Sequence, residues 1–259
     1  MENYREQLRE TFNQSAEIYD RIRPGYPQEL VNDVIGLSGI PDQGNILEIG
    51  CATGKATEPY AERGYKMDCL DIGDELAAVA IHKFRNQDHI NIFLNAFEEW
   101  EPNDNKYDLV IAATSFHWLD PQVAYVKIAE VLKPGGALAA YSNTHIRLKE
   151  DFFASVQPVY RACAPSIFNK PVHPERKGDV DHAGKELFEE PIKHEYLWSQ
   201  EYSAEEYIQL LQTYSDHILL PDSERQALFE GIVELLNKEF GGSFVKHYKA
   251  ILNLRKLKT

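Results

Sequence analysis

This chain is poor in cysteine, has no long apolar run and is short of positive charge. Its three cysteines, Cys51, Cys69 and Cys163, show no metal-ligand spacing, so no metal is expected and buried free thiols are the plain reading of Cys51 and Cys69. No apolar stretch is long enough to span a bilayer, which argues against a membrane partner. The polar start Met1-Glu2-Asn3-Tyr4-Arg5-Glu6 cannot serve as a secretory signal, so a cytoplasmic protein is expected. Lysine and arginine total 27 against 41 acidic residues, a net charge of −14. That balance opposes nucleic-acid binding, where attraction to phosphate dominates affinity. The basic cluster Lys246, Lys249, Arg255, Lys256 and Lys258 reads as the solvated face of an edge strand. Repeats, low-complexity tracts and linkers are missing too. With 43% hydrophobic residues over 259 positions, one large domain spanning 1–259 is expected.

What is present is a glycine turn. Ile46-Leu47-Glu48-Ile49-Gly50-Cys51-Ala52-Thr53-Gly54-Lys55-Ala56-Thr57 reads as a buried strand, a tight turn and the start of a helix. Such a turn lets backbone N–H groups approach a ligand with no side chain between. Three patterns compete for it. A phosphate-binding P-loop needs a glycine at Ile49 and a hydroxyl at Ala56. The dinucleotide fingerprint needs a small residue where Lys55 stands, so that helix and strand can pack closely. The pattern E-x-G-x-G-x-G, the first motif of S-adenosylmethionine-dependent methyltransferases, is met by Glu48, Gly50 and Gly54, with Ala52 adding one methyl group at the middle glycine.

The following chain favours the third. Met67-Asp68-Cys69-Leu70-Asp71-Ile72 reads as a second strand ending in a carboxylate, suited to hydrogen bonds from both hydroxyls of a ribose. His89–Leu94 is a third strand, running into Asn95-Ala96-Phe97. Tyr107–Ala113 is a fourth, followed by Thr114-Ser115-Phe116-His117-Trp118. A helix over Val123–Leu132, a turn at Lys133-Pro134-Gly135-Gly136 and a fifth strand over Ala137–Tyr141 complete the run. Apolar strands alternating with helical patterns predict a parallel sheet covered on both faces.

This run resembles the core of the class I, Rossmann-like S-adenosylmethionine (SAM)-dependent methyltransferases. Phe12 to Pro27, with Tyr19-Asp20 and Arg23-Pro24-Gly25-Tyr26-Pro27, and Ser115-Phe116-His117-Trp118 are similar to the trans-aconitate methyltransferase-like small-molecule subgroup. The resemblance implies an α/β fold: a seven-stranded, mostly parallel sheet with helices on both faces, the last strand antiparallel and a helical cap inserted after the fifth strand. Residues 1–40 would be N-terminal helices, from Tyr4–Ile18 and Gln28–Ser38, and 145–190 the cap. Ile192–Tyr202 reads as the sixth strand, Ser203 with Glu206 as a capping box, Asp222–Phe240 as a helix capped by Asp222 or Ser223, and Phe244–Leu257 as the final strand.

SAM is the cofactor the resemblance implies. The Gly50–Ala52–Gly54 turn would approach its methionine end, oriented by Glu48. Asp71 would hold the ribose, Ile72 would pack on the adenine, and the backbone at Ala96 and Phe97, with the Asn95 side chain, would read the adenine edge. Ala113 and Thr114 would line the region of the sulfonium. Tyr19 and Arg23 form a further candidate pair for a carboxylate or the cationic sulfur. Structural alternatives stand beside these. Glu48 could anchor the following helix, Asp71 could cap the next one, Ile72 and Phe97 could be core, and Tyr19, Arg23 and Tyr26 could only fix helix docking. His117 is the candidate general base, with packing beside Trp118 as its alternative. Trp118, Tyr141, His145 and Arg161 are candidates for the acceptor pocket. The expected function is methyl transfer to a small-molecule acceptor by in-line displacement. The alternatives are a macromolecular acceptor, tRNA or protein, and a non-catalytic SAM-binding protein.

Overall fold

The computed structural model of the chain describes residues 16–102, 106–148, 151–168 and 184–258. Most of the helix expected at Tyr4–Ile18, and residues 169–183 of the expected cap, lie outside them. Seven strands form one sheet: β1 (Asn45–Ile49), β2 (Lys66–Asp71), β3 (Ile90–Leu94), β4 (Tyr107–Ala113), β5 (Leu132–His145), β6 (Ile192–Ser203) and β7 (Ser243–Lys256). Their order is β3-β2-β1-β4-β5-β7-β6.

The first five strands are parallel. β1 pairs β2 with Glu48 opposite Cys69 and β4 with Glu48 opposite Ile111, β2 pairs β3, and β4 pairs β5. Strand order reverses between β1 and β4, and an open parallel sheet binds ligands at the carboxyl ends of strands at such a reversal. β7 runs antiparallel to β5. Leu257 N–H donates to Gly136 O (2.8 Å) and Ile146 N–H to His247 O (2.9 Å), so numbering falls along one strand as it rises along the other. The antiparallel last strand is therefore as expected. Ile46, Leu47, Leu109, Val110 and Ile111 are each fully buried, the apolar continuity that a sheet covered on both faces demands.

Two compact units make up the chain. One comprises Pro24–Asn143, Pro174–Tyr196 and Ala250–Thr259; the other comprises Met1–Arg23, Thr144–His173 and Leu197–Lys249. The first packs Leu47, Ile49, Val110, Ile128 and Leu138 around Tyr125 and Phe188. The second packs Phe152, Tyr207, Leu210, Ile232, Leu236 and Phe244. Three short helices, Phe152–Ser155, Gln157–Cys163 and Pro165–Phe168, fall within the segment 145–190 expected as a helical cap; its described residues 184–190 belong to the first unit. The capping box is present: Glu206 N–H donates to Ser203 Oγ (3.2 Å) and Ser203 N–H to Glu206 Oε2 (2.8 Å).

Four expectations need correction. The helix after the glycine turn starts late, with one helical turn at Glu58–Ala61, because residues 52–57 form consecutive turns. β5 begins at Leu132 rather than Ala137, since Leu132 pairs Tyr107 across a register shift that carries Pro134-Gly135-Gly136 inside the strand. The helix Asp222–Glu239 has Pro221 at its N-cap and no side-chain cap. Finally, β7 is interior to the sheet, and Lys246 and Arg255 are each 4% exposed. Alternation of apolar and basic residues marks two faces of a strand but not whether a neighbour covers its edge.

Candidate functional site

The glycine turn leaves β1 in left-handed backbone: Gly50 at φ 74°, Ala52 at 48° and Gly54 at 80°. A Cβ on Gly50 would lie 2.6 Å from Ser115 Cβ, and one on Gly54 would lie 2.4 Å from the Phe84 ring. Both glycines are therefore required by packing as well as by conformation. Gly50 and Cys51 N–H donate to Leu70 O (2.8 and 3.0 Å), and Gly54 N–H donates to Cys51 O (2.8 Å). The turn thus spends these donors on its own shape, and what it leaves bare is glycine backbone rather than a row of N–H groups.

Asp71 closes the turn. Its Oδ2 accepts from Ala52 N–H (2.7 Å) and its Oδ1 from Gly73 N–H (2.8 Å). The carboxylate at the end of β2 is thereby fixed in one orientation. Ala52 lacks glycine's freedom, and a left-handed alanine costs ~1–2 kcal/mol; the bond to Asp71 offsets part of that. Beside it Ile72 is 38% exposed, which removes the core alternative for this residue. The Phe97 side chain is buried at 2% exposure, which favours the core alternative for that side chain. Asn95 N–H donates to Asp71 O (2.9 Å), tying the end of β3 to the end of β2, and Asn95 and Ala96 are half-buried.

Glu48 lies beneath the turn, fully buried. Its Oε2 accepts from Thr57 Oγ1 (2.6 Å) and weakly from Cys69 Sγ (3.8 Å), while Oε1 is buried without a partner. Burial pushes its pKa from 4.5 up to about 7, opposed by the Thr57 and Cys69 bonds and reinforced by the charge of Asp71. Thr57 is the N-cap residue of the short helix, yet its hydroxyl makes no cap bond; it goes to Glu48 instead. Glu48 therefore does anchor the helix start, while its second oxygen remains available. Burial raises the thiol pKa of Cys51 and Cys69 well above the ordinary value, which disfavours their reactive thiolate form.

At the end of β4, Thr114 is also left-handed (φ 59°) and its N–H donates to Tyr141 O (2.7 Å). Its hydroxyl bonds Tyr26 Oη at 2.6 Å, and the Tyr26 ring meets Tyr141 edge-on at 4.8 Å. Ser115 Oγ donates to Ile49 O, joining β4 to β1 at the strand-order reversal. Tyr141 is 3% exposed, with its hydroxyl 3.5 Å from that of Tyr60. His117 is exposed and Trp118 half-buried in a single 3-10 turn, their rings 4.8 Å apart. Glu48, Gly50, Ala52, Gly54, Asp71, Ile72, Asn95, Ala96, Phe97, Ala113, Thr114, His117, Trp118 and Tyr141 all belong to one unit.

Tyr19, Arg23, His145 and Arg161 belong to the other. Arg23 donates to Thr213 Oγ1 (2.8 Å) and Thr213 O (2.6 Å), and its guanidinium lies over the rings of Tyr19 (5.0 Å) and Tyr214 (4.4 Å). These contacts favour the structural alternative for the Tyr19–Arg23 pair. Arg161 lies over the Phe168 ring at 5.0 Å. Sequence reasoning gave no role to Thr57, Ser115 or Tyr60. Thr57 and Ser115 are ordinary hydroxyl residues at element ends; only the folded turn brings Thr57 to Glu48, and only the register of β1 against β4 brings Ser115 to Ile49.

Residues 47–140 match a family model described as a methyltransferase domain. An uncharacterised methyltransferase of Mycobacterium bovis is 31% identical over 134 residues, covering 52% of each chain. A malonyl-[acyl-carrier protein] O-methyltransferase of Ilyobacter polytropus is 28% identical over 152 residues, 56% of each. The chain thus spans about half the length of the curated relatives it matches. A solved structure from Anaeromyxobacter dehalogenans, described as a type II methyltransferase, shares the fold with a TM-score of 0.65 at 20% identity, covering 90% of this chain and 97% of that one. No helix among the described residues is long and apolar enough to cross a membrane.

Proposed function

We propose that the chain is a SAM-dependent methyltransferase acting as one catalytic domain on a small-molecule acceptor by in-line displacement. The observation that carries this reading is the Asp71 carboxylate, fixed by two backbone N–H groups beside a left-handed glycine turn at the strand-order reversal. The residues fit SAM. Glu48 has an orphaned buried oxygen suited to the amino end or to a water on it. Asp71 places a fixed carboxylate where two adjacent hydroxyls could donate, and Ile72 next to it offers exposed apolar surface to a flat base.

When bound, SAM would supply a methyl group on a good leaving group, a sulfonium. The chain's own task is to hold and align. Asp71 would hold the ribose, Ile72 and the Asn95–Phe97 backbone the adenine, Glu48 the methionine end, and Ala113 and Thr114 would line the region of the sulfur. Alignment can supply much of the acceleration, up to ~7–11 kcal/mol. His117 would take a proton only from a hydroxyl or carbon-acid acceptor, since a carboxylate acceptor has none to lose. Trp118 would border the acceptor, and the buried Tyr141 would act through Tyr26 and Thr114 as a wall.

The malonyl-[acyl-carrier protein] O-methyltransferase relative supports an acceptor of metabolite size. Its name also favours a second reading, an acceptor carried on a protein. The acidic balance of −14 weighs against tRNA. The test is incubation with methyl-labelled SAM and fractionated cell extract. Label in the small-molecule fraction supports the first reading, and label in protein the second. Absence of transfer into every fraction would contradict both.

A further inference from the structure

In the unit formed by Met1–Arg23, Thr144–His173 and Leu197–Lys249, positive charge is buried with no buried acid among the described residues to meet it. Lys246 is 4% exposed, and its ammonium lies 5.1–5.8 Å from the ring centres of Phe153, Tyr207, Tyr214 and Tyr248. Its one hydrogen bond among the described residues is to Tyr214 Oη (3.1 Å), so two of its three N–H donors remain. Tyr214 accepts that bond and keeps its own proton to give. On the paired strand the His145 ring lies tilted against Phe153 (ring centres 3.7 Å apart, planes at 55°), and its Nε2 is buried without a partner. Ile146 N–H bonds His247 O, and this register sets Arg147 opposite Lys246.

Four basic residues, His145, Arg147, Lys246 and His247, thus gather at one end of a strand pair in a chain of net charge −14. Burial and the positive charges of Lys246 and Arg147 hold the His145 pKa down to about 4, so its ring is neutral near pH 7. No acidic residue of this unit is buried among the described residues. Two acids of this unit are already engaged: Asp151 accepts from Leu148 and Ala154 N–H, and Asp216 bonds His217 Nδ1 (2.8 Å). An ammonium buried among rings, with no carboxylate bonded to it among the described residues, carries a desolvation cost that aromatic faces offset only in part.

We propose that Lys246, with Tyr214 and His145, forms an anion site that takes the carboxylate of a small organic acid. Lys246 supplies the charge and two N–H donors, Tyr214 the O–H donor, and Phe153 and Tyr207 the apolar walls that exclude water and strengthen the pairing. The inference does not depend on methyl transfer, because every residue in it lies in the unit without the glycine turn.

The test is calorimetric titration of the full chain with malonate, against chloride at matched ionic strength. Wild type should take up malonate saturably, Lys246→Met should lose at least tenfold in affinity, and Tyr214→Phe should lose severalfold. Lys246→Arg should retain binding. S-adenosylhomocysteine titrated into the same Lys246→Met sample reports separately on the cofactor site and on folding, and its affinity should not change. The proposal is overturned if wild type shows no saturable malonate uptake, or if Lys246→Met binds malonate as wild type does. Failure of S-adenosylhomocysteine to bind wild type would sink the methyltransferase reading and leave this one standing.

Discussion

Glu48 makes a sharp prediction because it is an acid that folding makes harder to ionise. Its pKa rises from 4.5 to about 7, chiefly through burial. The native state then binds more protons than the unfolded one between those values, so this group's contribution to stability falls as pH rises through that window and is constant above it. A shift of this size corresponds to about 3 kcal/mol at ~1.4 kcal/mol per pH unit. Replacing Glu48 by Gln removes the ionisation and keeps an acceptor for Thr57 Oγ1. Its amide would sit at the oxygen that has no partner, at a cost of ~1–3 kcal/mol that does not vary with pH. The assay is urea unfolding of both proteins at pH 5 and pH 8. Glu48→Gln should gain about 2–3 kcal/mol on wild type between the two. A constant difference across that range would refute the buried, raised-pKa carboxyl. If the same oxygen meets the amino end of the cofactor, S-adenosylhomocysteine affinity of wild type should also rise with pH through 7, and that of Glu48→Gln should not.

Other outcomes follow from the same geometry. Gly54→Ala should cost ~3 kcal/mol by thermal melting, adding a clash with the Phe84 ring to left-handed strain. Gly135→Ala has the same sign of φ but nothing within 4 Å of its Cβ, so it should cost only ~1–2 kcal/mol; equal losses would contradict the packing role of Gly54. Ser203→Ala, which breaks the capping box, should lose ~1 kcal/mol in denaturant unfolding. His117→Asn should leave turnover unchanged with a carboxylate acceptor and reduce it ~10²–10⁴-fold if the acceptor must lose a proton.

The core of this fold is legible in the chain because period and punctuation agree there. β4 spans Tyr107–Ala113 and the second helix Gln28–Ser38, each an apolar pattern closed by turn residues. Asp71 could be singled out because one carboxylate ends a strand after a glycine turn. Reading stopped where a neighbour decides. Lys133-Pro134-Gly135-Gly136 has the composition of a turn, yet pairing of Leu132 with Tyr107 draws it into β5. Lys246 alternates like a solvated residue, yet β7 lies between β5 and β6. The glycine turn reads as bare backbone for a ligand, but composition could not tell that the N–H groups of Gly50, Cys51, Ala52 and Gly54 bond Leu70, Asp71 and Cys51. Thr57 could not be matched to Glu48, because its hydroxyl would cap its own helix if no buried acid lay beneath it.

The central claim is that the carboxylate at the end of β2 grips an adenosyl sugar beside the glycine turn. Titration of S-adenosylhomocysteine into wild type and Asp71→Ala, with melting measured on the same samples, tests it most directly. The account predicts saturable one-to-one binding by wild type and a loss of about tenfold or more in the variant, from ~1.5–3 kcal/mol of charge-assisted hydrogen bonding, in a chain that still melts cooperatively. Equal affinity in a folded variant, or no binding by wild type, would contradict it.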